Sequence, residues 1–353
     1  MSLSIGIIGL PNVGKSTLFE AITKNQVDRE NYPFCTVDPN VGVVAVPDQR
    51  IDQIMTVVGG KEKIYPPIEF IDIAGLIKGA NKGEGLGNQF LAQIQATDAV
   101  VYVLRTFSNP QVSSTEEKGS PLLEKEILDE ELRLKDLEIT CRRLEKLPTD
   151  NLSDEDLKER AVLEKIKTVL EEEDLIINHE WNEEEKKILK HYQFLTSKPR
   201  LYLLNGGEGE VSEEVKKTFR NNNWPYLTID VLTELEAENL SKEERKDYGL
   251  PPEPALDDLI QKAYNVLDLI TFFTIVSGKV RGWTLKKGKT APEAGGVIHS
   301  DFEDNFIKAD VINWQDLVKA GGFNQAKKQG LVKTRGADYK VQEGDVIMIK
   351  TDK

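Results

Sequence analysis

Residues 5–17 restrict the possible folds of this chain more than any other stretch. An apolar run leads into a loop bounded by Gly9 and Gly14 and followed by Lys15, which matches the spacing G-x-x-x-x-G-K-[ST]. In loops with this spacing, consecutive backbone N–H groups line a concave site for anions, and the helix that follows points its positive end at the same place. The stretch therefore predicts a strand, a phosphate-binding loop and a helix within an α/β domain.

The side chains in and around this loop suit a nucleoside triphosphate bound with Mg²⁺. Lys15 is expected to contact the β- and γ-phosphates, and the hydroxyl of Ser16 is expected to ligate the metal. Asp72 and Gly75 form a D-x-x-G motif after a second apolar run, which predicts a water-mediated carboxylate ligand and a backbone N–H near the γ-phosphate. Thr36 is the candidate to close over the metal and the γ-phosphate, and an ordinary loop threonine is the alternative.

Two stretches are predicted to be loops that a nucleotide orders. The first, residues 24–36, is polar and ends at the candidate threonine, and the second, residues 79–87, has four glycines in nine residues. Ordering a glycine-rich segment costs much conformational entropy, which suits a switch that is ordered only by nucleotide. A plain flexible loop is the alternative for the second stretch.

The residues expected to recognise the base follow a later predicted strand. Where many GTPases carry N-K-x-D, this chain has Asn205, Gly206 and, in the last place, Glu208. Gly206 lacks the lysine stem that would cover the ring, and Glu208 is one methylene longer than the aspartate that accepts two hydrogen bonds from guanine. Adenine needs an acceptor for its amino group, which Asn205 or a backbone carbonyl could give. Because mismatched donors and acceptors discriminate strongly, we expect ATP to be preferred, with a GTP-specific or dual-specificity site as the alternative.

A long charged stretch with helical periodicity lies between two strand-like runs, 99–104 and 200–205. Acidic residues outnumber basic ones 22 to 13 from Glu124 to Lys190, and apolar residues recur at spacings of sevens and threes on both sides of a break at 148–153. The pattern predicts an antiparallel coiled-coil hairpin inserted into the α/β domain. Helices packed on the sheet are the alternative.

The last part of the chain differs in charge from the rest. From Leu269 to Lys353 there are 14 Lys or Arg and 10 Asp or Glu, a difference of +4, whereas the whole chain has a net charge of −14. Two strand-like runs, 271–276 and 280–285, predict a β-hairpin in a small α+β module. The acidic body argues against a protein that coats nucleic acid over its whole surface, but the charge of the module permits contact with RNA.

Apolar runs and cysteines indicate the compartment. No run of about 18 apolar residues is present, and the amino terminus lacks a basic segment followed by an apolar one, so we expect a cytoplasmic protein without membrane contact. Cys35 and Cys141 are too few for a disulfide framework or a cysteine metal site. Reduced thiols are therefore expected.

Five motifs together resemble those of one family, the YchF or Obg-like ATPases. They are residues 9–17, 31–40, 72–80, 83–90 and 205–208, and the resemblance extends over essentially the whole chain. It implies an α/β P-loop NTPase domain, with a mostly parallel sheet flanked by helices, at residues 1–115 and 198–268. It further implies an inserted α-helical coiled-coil hairpin at residues 116–197 and a C-terminal α+β module of the β-grasp (TGS) type at residues 269–353.

The resemblance also implies an activity, partners and site residues. ATP hydrolysis favoured over GTP is expected, together with association with the large subunit of the ribosome and RNA contacts through the TGS-like module and the helical arm. Ser16 and Thr36 would ligate Mg²⁺ directly, and Gly206 would contact the base through its backbone beside Asn205. The phosphate cradle would consist of Asn12, Val13, Gly14, Lys15, Ser16 and Thr17.

Catalysis is expected to be mostly electrostatic and slow without a partner. Leu76 follows the D-x-x-G motif where many GTPases place a glutamine that orients water, and the three histidines lie far from the predicted switches in the sequence. Lys15, Thr36 and Gly75 are therefore the catalytic candidates, with the loop amides and Mg²⁺ stabilising the transferring phosphoryl group. Asn12 suggests a further hypothesis, that its side-chain oxygen helps to hold a K⁺ ion that acts as a positive finger.

Two other classes of function remain as alternatives. A P-loop kinase that phosphorylates a small acceptor would need a basic lid, whereas the insert of this chain is acidic. A scaffold that keeps nucleotide only as a structural part is disfavoured by the intact set of Lys15, Ser16, Thr36 and Asp72. Phosphate release with and without ribosomes would separate these readings.

Overall fold

The computed structural model describes residues 3–24, 38–73, 86–107, 120–148 and 153–352. The strands are β1 (Ser4–Ile8), β2 (Val41–Ala45), β3 (Glu62–Ile64), β4 (Pro67–Asp72), β5 (Ala99–Arg105), β6 (Arg200–Asn205), β7 (Tyr226–Ile229), β8 (Leu269–Val276), β9 (Lys279–Lys286), β10 (Phe306–Asn313), β11 (Lys333–Arg335) and β12 (Asp345–Thr351). The helices are α1 (Lys15–Thr23), α2 (Gln49–Val58), α3 (Leu86–Gln95), α4 (Pro121–Lys146), α5 (Asp154–Glu171), α6 (Glu183–Tyr192), α7 (Glu213–Asn221), α8 (Val231–Glu236), α9 (Lys242–Asp247), α10 (Ala255–Val266), α11 (Ala291–Ile298), α12 (Ser300–Asp304), α13 (Trp314–Ala320) and α14 (Phe323–Lys328). None of these helices is both long and apolar enough to cross a membrane.

The first sheet has the strand order β2-β4-β1-β5-β6-β7, in which β2 is antiparallel and the other strands are parallel. Every residue of β1, β5 and β6 is buried. Parallel strands that are covered on both faces need such continuous, mostly apolar runs. Leu18 and Ile22 of α1 and Leu259 of α10 belong to the same core. The predicted α/β fold with a mostly parallel sheet is confirmed.

The strand order brings the predicted site residues to one edge of this sheet. In the register, Ile7 of β1 lies beside Asp72 of β4, and Arg105 of β5 lies beside Asn205 of β6. Open parallel sheets bind ligands beyond the carboxyl ends of their strands. The loop after β1, the end of β4 and the end of β6 therefore meet where a ligand is expected.

The two halves of helix α4 pack in two different hydrophobic cores. Leu128 and Leu132 in its first half are 1% exposed and pack in the core of the first sheet. Leu137 and Leu144 in its second half pack against a separate cluster, to which α6 contributes Leu189. The predicted hairpin and the alternative of packing on the sheet thus each describe one half of α4. The described part of the insert has three helices rather than the predicted pair.

A buried polar network fastens α4 to the first sheet. The carboxylate of Asp129 accepts hydrogen bonds from the hydroxyl of Tyr102 and the guanidinium of Arg200, each at 2.8 Å. The ammonium group of Lys125 donates to the same carboxylate at 2.6 Å. Removing one partner from a buried charge pair costs about 3–5 kcal/mol, so this network fixes the position of α4 on the sheet.

The second sheet has the order β11-β10-β12-β8-β9-β3 and contains the predicted hairpin. β8 and β9 are antiparallel neighbours, which confirms that prediction. Ser277 and Gly278 connect them with φ angles of 52° and 80°. Two positive φ angles are what a two-residue type I′ turn requires, and its twist matches that of the strands.

The second sheet also takes in a segment from between β2 and β4. β3 pairs in parallel with β9, and Ile51 and Ile54 of α2 are fully buried in a core that includes Phe273 of β8. The sequence-based partition assigned this segment, as part of residues 1–115, to the nucleotide-binding domain. Its packing differs from that partition, because an amphipathic helix shows which of its faces is apolar but not which core that face meets.

Candidate functional site

A cavity of about 550 Å³ opens at the carboxyl edge of the first sheet, a size typical of small-molecule sites. Six of the predicted site residues and four further ones line it: Asn12, Gly14, Lys15, Ser16, Thr17, Phe107, Asn205, Glu210, Asp230 and Leu232. They come from the loop after β1, from the first turn of α1 and from the segments that follow β5, β6 and β7. The loop and the predicted base-recognition segment therefore share one cavity.

The loop after β1 follows a path that excludes a side chain at its last glycine. Gly14 has a φ of 99°, and a Cβ atom placed on it would lie 2.3 Å from Nδ2 of Asn205. A substitution would strain the backbone and displace Asn205 at once. Because Lys15, Ser16 and Thr17 form the start of α1 and line the cavity, the positive end of the helix dipole meets a ligand there.

Lys15 contributes the positive charge of its ammonium group to the lining of the cavity. Its side chain is buried, and Nζ donates a hydrogen bond of 2.8 Å to the carbonyl oxygen of Leu10. Burial lowers the pKa of Lys15, while the carboxylates of Asp72 and Glu124 act in the opposite direction. Since an ammonium group has three donors, the contact with Leu10 leaves donors for phosphate oxygens.

Ser16 and Asp72 supply oxygen atoms suited to Mg²⁺. Oγ of Ser16 donates to Oδ2 of Asp72 at 3.2 Å. Burial raises the pKa of Asp72, and the hydrogen bond from Ser16 and the charge of Lys15 oppose this rise. Mg²⁺ takes oxygen ligands, keeps several waters and usually binds only one or two protein groups beside substrate phosphates. One serine hydroxyl and one carboxylate therefore fit an ion that arrives with a nucleotide.

Asn205 braces the phosphate-binding loop. Its Nδ2 donates to the carbonyl oxygen of Val13 at 2.7 Å, and its Oδ1 accepts from the N–H of Val231 at 3.1 Å. The side chain is 5% exposed. The sequence suggested Asn205 as an acceptor for adenine, but the structure places both ends of its amide on the protein backbone. Asn205 therefore ties the loop to the start of α8.

Gly206 and Glu208 have different surroundings. A Cβ atom on Gly206 would lie 2.4 Å from Oγ1 of Thr106, so only glycine fits between β6 and the end of β5. The side chain of Glu208 is 75% exposed and pairs with Lys216. Glu208 is not among the residues that line the cavity. Of the two glutamates in this segment, Glu210 faces the cavity, and its Oε2 accepts the N–H of Gly207 at 2.7 Å.

Four lining residues were not predicted from the sequence: Phe107, Glu210, Asp230 and Leu232. Leu232 is 58% exposed, and with Phe107 it gives the cavity an apolar surface suited to a purine ring. Asp230 caps α8 by accepting the N–H of Thr233 at 3.1 Å. Their position directly after β5 and β7 could have identified them, because parallel strands place such residues at the ligand edge.

Several predicted residues are not part of the lining or of the described structure. The side chain of Val13 is 1% exposed and packs in the core, so that Val13 serves the loop through its backbone. Thr36, Gly75 and Leu76 lie outside the described residues. The roles predicted for Thr36 and Gly75 therefore stay predictions.

A larger cavity, of about 680 Å³, lies among α4, α5 and α6. Its charged lining is largely paired within the protein: Arg143 forms two hydrogen bonds with Glu159, at 2.8 and 2.9 Å. Tyr192 also donates to Glu159. Because these groups satisfy one another, the smaller cavity at the sheet edge is the stronger candidate for a ligand site.

Two family models match the chain. One, described as a 50S ribosome-binding GTPase, matches residues 4–139, which include the loop after β1. The other, for the C-terminal part of YchF GTPases and described as a protein of unknown function, matches residues 269–352.

Proteins of known name resemble the chain over nearly its full length. A ribosome-binding ATPase YchF of Bacillus subtilis is 41% identical, and the match covers 98% of each protein. Obg-like ATPase 1 of Gallus gallus is 38% identical over 99% of this chain and 92% of its own length. Among solved structures, a YchF GTPase of Schizosaccharomyces pombe is 34% identical, has a TM-score of 0.87 and is matched over 99% of this chain and 98% of its own.

Proposed function

The chain belongs to the YchF family, and on that premise we propose that it is a Mg²⁺-dependent ATPase that binds the ribosome. The observation that carries the proposal is that Lys15 and Ser16 line one cavity that also has a surface for a base, with Asp72 hydrogen-bonded to Ser16. The names of the relatives from Bacillus subtilis and Gallus gallus support ATP hydrolysis, and the first also supports ribosome binding. A cytoplasmic location follows from such a partner.

In this proposal, different residues of the chain bind the phosphates and the metal ion of a nucleoside triphosphate. The loop amides and Lys15 bind the phosphates, and Ser16 and Asp72 would hold Mg²⁺, the serine directly and the carboxylate through water. Thr36 and Gly75 complete the metal site and the contacts to the γ-phosphate in this proposal. Mg²⁺ supplies neutralisation of phosphate charge. The arrangement orients the γ-phosphoryl group and stabilises its negative charge.

The preference for ATP rests on what surrounds the base. The carboxylate of Glu208, in the place of the guanine-binding aspartate, pairs with Lys216 on the outside of the protein. Phe107 and Leu232 offer apolar surface that does not distinguish the purines. We propose that a backbone carbonyl near Gly206, rather than Asn205, accepts the amino group of adenine.

A GTP-specific or dual-specificity enzyme is the second candidate, and one observation favours it. Glu210 lines the cavity, and a carboxylate is the group that accepts hydrogen bonds from guanine. Its Oε2 is already the acceptor for the N–H of Gly207. Because this hydrogen bond holds the Glu210 carboxylate on the backbone of residues 207–210, we expect it to bind guanine poorly and therefore propose ATP as the preferred nucleotide.

Turnover is slow until a partner completes the site. Lys15 provides charge, but an apolar Leu76 stands where a water-orienting glutamine is common, so water is positioned by backbone groups or by the partner. We propose that Asn12, which lines the cavity with a φ of 63°, helps to hold K⁺. We further propose that the large ribosomal subunit and its RNA are contacted by the inserted helices and by the C-terminal module, whose charge difference is +4.

Phosphate release with and without ribosomes tests this proposal. We expect ATP turnover below about 1 s⁻¹ without ribosomes, the low end of ordinary enzymes, and a clear increase with them. Lys15→Ala should abolish both rates, whereas Lys242→Ala, which removes an exposed ion pair with Glu253 at the start of α9, should leave them unchanged. Rates in K⁺ and Na⁺ buffers test the role of Asn12, and equal rates would exclude it.

Three results would contradict the proposal. Fast hydrolysis without ribosomes would show that the isolated site is complete. Phosphate transfer to a small acceptor instead of water would indicate a kinase. Tight nucleotide binding with no turnover under any condition would indicate a scaffold.

A further inference from the structure

The chain leaves the first sheet between β2 and β4 and enters the second one. This segment, residues 46–66, is called the excursion here and carries α2 and β3. β2 and β4 pair antiparallel, with Val41 beside Ile71 and Ala45 beside Pro67. They form a ribbon of two strands whose connecting segment is built into a different sheet.

One end of the ribbon contacts Ser16, a residue that lines the cavity. Asp72 is the last residue of β4, and its N–H donates to the carbonyl oxygen of Asn40 at 2.9 Å. Asn40 directly precedes β2, and the carboxylate of Asp72 accepts the hydrogen bond from Ser16. The position of Asp72 is therefore determined by both strands of the ribbon.

The other end is held in the second sheet by backbone pairing. The ladder ends where the N–H of Val46 donates to the carbonyl oxygen of Pro66 at 2.9 Å, and the N–H of Lys61 then donates to the carbonyl oxygen of Gly278 at 2.7 Å. Strands rise about 3.3 Å per residue, so the ribbon spans about 17–20 Å between the cavity and the second sheet. A paired ribbon moves as a unit, because sliding one strand would break its hydrogen bonds.

An arginine at the start of α2 locks the excursion to strands that are distant in sequence. Two nitrogens of Arg50 donate to the carboxylate of Asp48, at 2.8 and 2.6 Å, and a third donates to Glu343. The other oxygen of Glu343 accepts the N–H of Thr271 in β8 at 2.9 Å. The guanidinium also lies 5.2 Å from the ring centre of Phe273.

This contact joins three separate parts of the chain through one planar group. Asp48 belongs to the excursion, Glu343 precedes β12, and Thr271 lies in β8, so no local element explains why these residues meet. The side chains of Arg50 and Asp48 are 24% and 7% exposed, which protects their hydrogen bonds from solvent. The bidentate pair with Asp48 is directional and therefore orients the guanidinium, which then makes a single hydrogen bond to Glu343, whose side chain is 50% exposed.

We infer that Arg50 and Glu343 are positioning residues that couple the phosphate cavity to the second sheet through the β2–β4 ribbon. The inference rests on the proposed function, since it takes a bound nucleotide as the signal at one end. A nucleotide that fixes the ends of the ribbon near Asp72 changes the freedom of β8 and β9. Coupling between two binding sites is reciprocal, so a partner that binds the second sheet changes the position or freedom of Asp72.

Hydrogen–deuterium exchange of the full chain tests this coupling without an activity measurement. The probe is a non-hydrolysable ATP analogue with Mg²⁺. In the wild-type protein we expect slower exchange in the loop after β1 and, in addition, about fivefold slower exchange in β8 and β9, the low end of usual coupling. In Arg50→Ala and in Glu343→Ala the loop should still be protected while the remote change is lost.

Controls separate coupling from general damage. Lys63→Ala removes an exposed ion pair with Asp52 within the same excursion and should keep the wild-type response. Glu343→Gln keeps an acceptor for Thr271 and should retain more of the response than Glu343→Ala. The variant Arg50→Ala/Glu343→Ala should lose no more than either single variant, because the two side chains act as one unit.

The outcomes distinguish the two proposals. No protection of the loop in the wild-type protein would overturn nucleotide binding, and with it the coupling. Protection of the loop without a change in β8 and β9 would overturn the coupling alone. A remote change that persists in both Arg50→Ala and Glu343→Ala would show that these residues do not transmit it.

Discussion

The contacts of Asn205 indicate that it positions the phosphate-binding loop rather than recognising the base. Its amide bonds to the backbone of Val13 and Val231, and a side chain on Gly14 would collide with it. One residue thus holds the phosphate-binding loop against the segment after β7. Its loss should loosen the phosphate side of the cavity, whichever base is bound.

We expect Asn205→Ala to weaken the binding of ATP and GTP to the same extent. Two hydrogen bonds at about 1 kcal/mol each suggest a loss of about thirtyfold in affinity for both nucleotides. Titration with each nucleotide measures this, and Asn222→Ala is the matched control, since that side chain bonds only the exposed end of α7 in the contacts seen. A loss confined to ATP would instead assign Asn205 to adenine recognition.

Glu124 is a buried carboxyl that no sequence pattern indicated. Its Oε2 accepts the N–H of Arg105 at 2.8 Å, and its charge acts on Lys15 in the cavity. Burial raises the pKa of Glu124 from 4.5 to about 7. Its charge therefore changes near neutral pH, at the point where α4 meets the end of β5.

The raised pKa predicts a pH-dependent stability difference between the wild-type protein and Glu124→Gln. A carboxyl whose folded-state pKa is raised binds its proton more tightly in the folded protein, so its stabilisation is present at low pH and is lost as pH rises through about 7. From about pH 5.5 to about pH 8, the free energy of unfolding of the wild type should fall by about 2 kcal/mol relative to the variant.

Urea denaturation of the nucleotide-free proteins at several pH values measures this difference. The glutamine keeps an acceptor for the N–H of Arg105, so the comparison isolates the titration. A difference that does not vary with pH would mean that Glu124 ionises in the folded protein as it does in water.

Elements with local signals could be predicted from the sequence. The strand, loop and helix around Lys15 follow from glycine spacing and an apolar run, and α1 begins at Lys15 as expected. The β8–β9 hairpin follows from two apolar runs around Ser277 and Gly278, of which the glycine readily accepts positive φ. In each case the determining contacts lie within a few residues of one another.

Elements whose partners are distant in sequence could not be predicted. The apolar face of α2 is evident in the sequence, yet its burial beside Phe273 depends on a strand more than 200 residues away. The two halves of α4 have similar composition but pack in different cores. The lining residues Phe107 and Leu232 meet only because β5 and β7 end at the same sheet edge.

Two further parts of the molecule, the inserted helices and the second sheet, are attached to the sheet that carries the cavity. The inserted helices are fixed to β5 and β6 through the network of Asp129, and the second sheet is attached through the excursion. The first attachment involves β6, which carries Asn205 of the cavity, and the second involves β4, whose Asp72 is hydrogen-bonded to Ser16 of the cavity. This arrangement suits an enzyme whose rate depends on what its outer parts bind.

The ATPase assignment depends on the choice of base, so the relative affinities of ATP and GTP are the decisive measurement. ATP and GTP should be titrated in competition against one fluorescent nucleotide at fixed Mg²⁺ and salt. We expect ATP to bind at least tenfold more tightly, a difference of about 1.4 kcal/mol. Equal binding, or tighter binding of GTP, would overturn the preference for ATP and would favour a GTP-specific or dual-specificity enzyme.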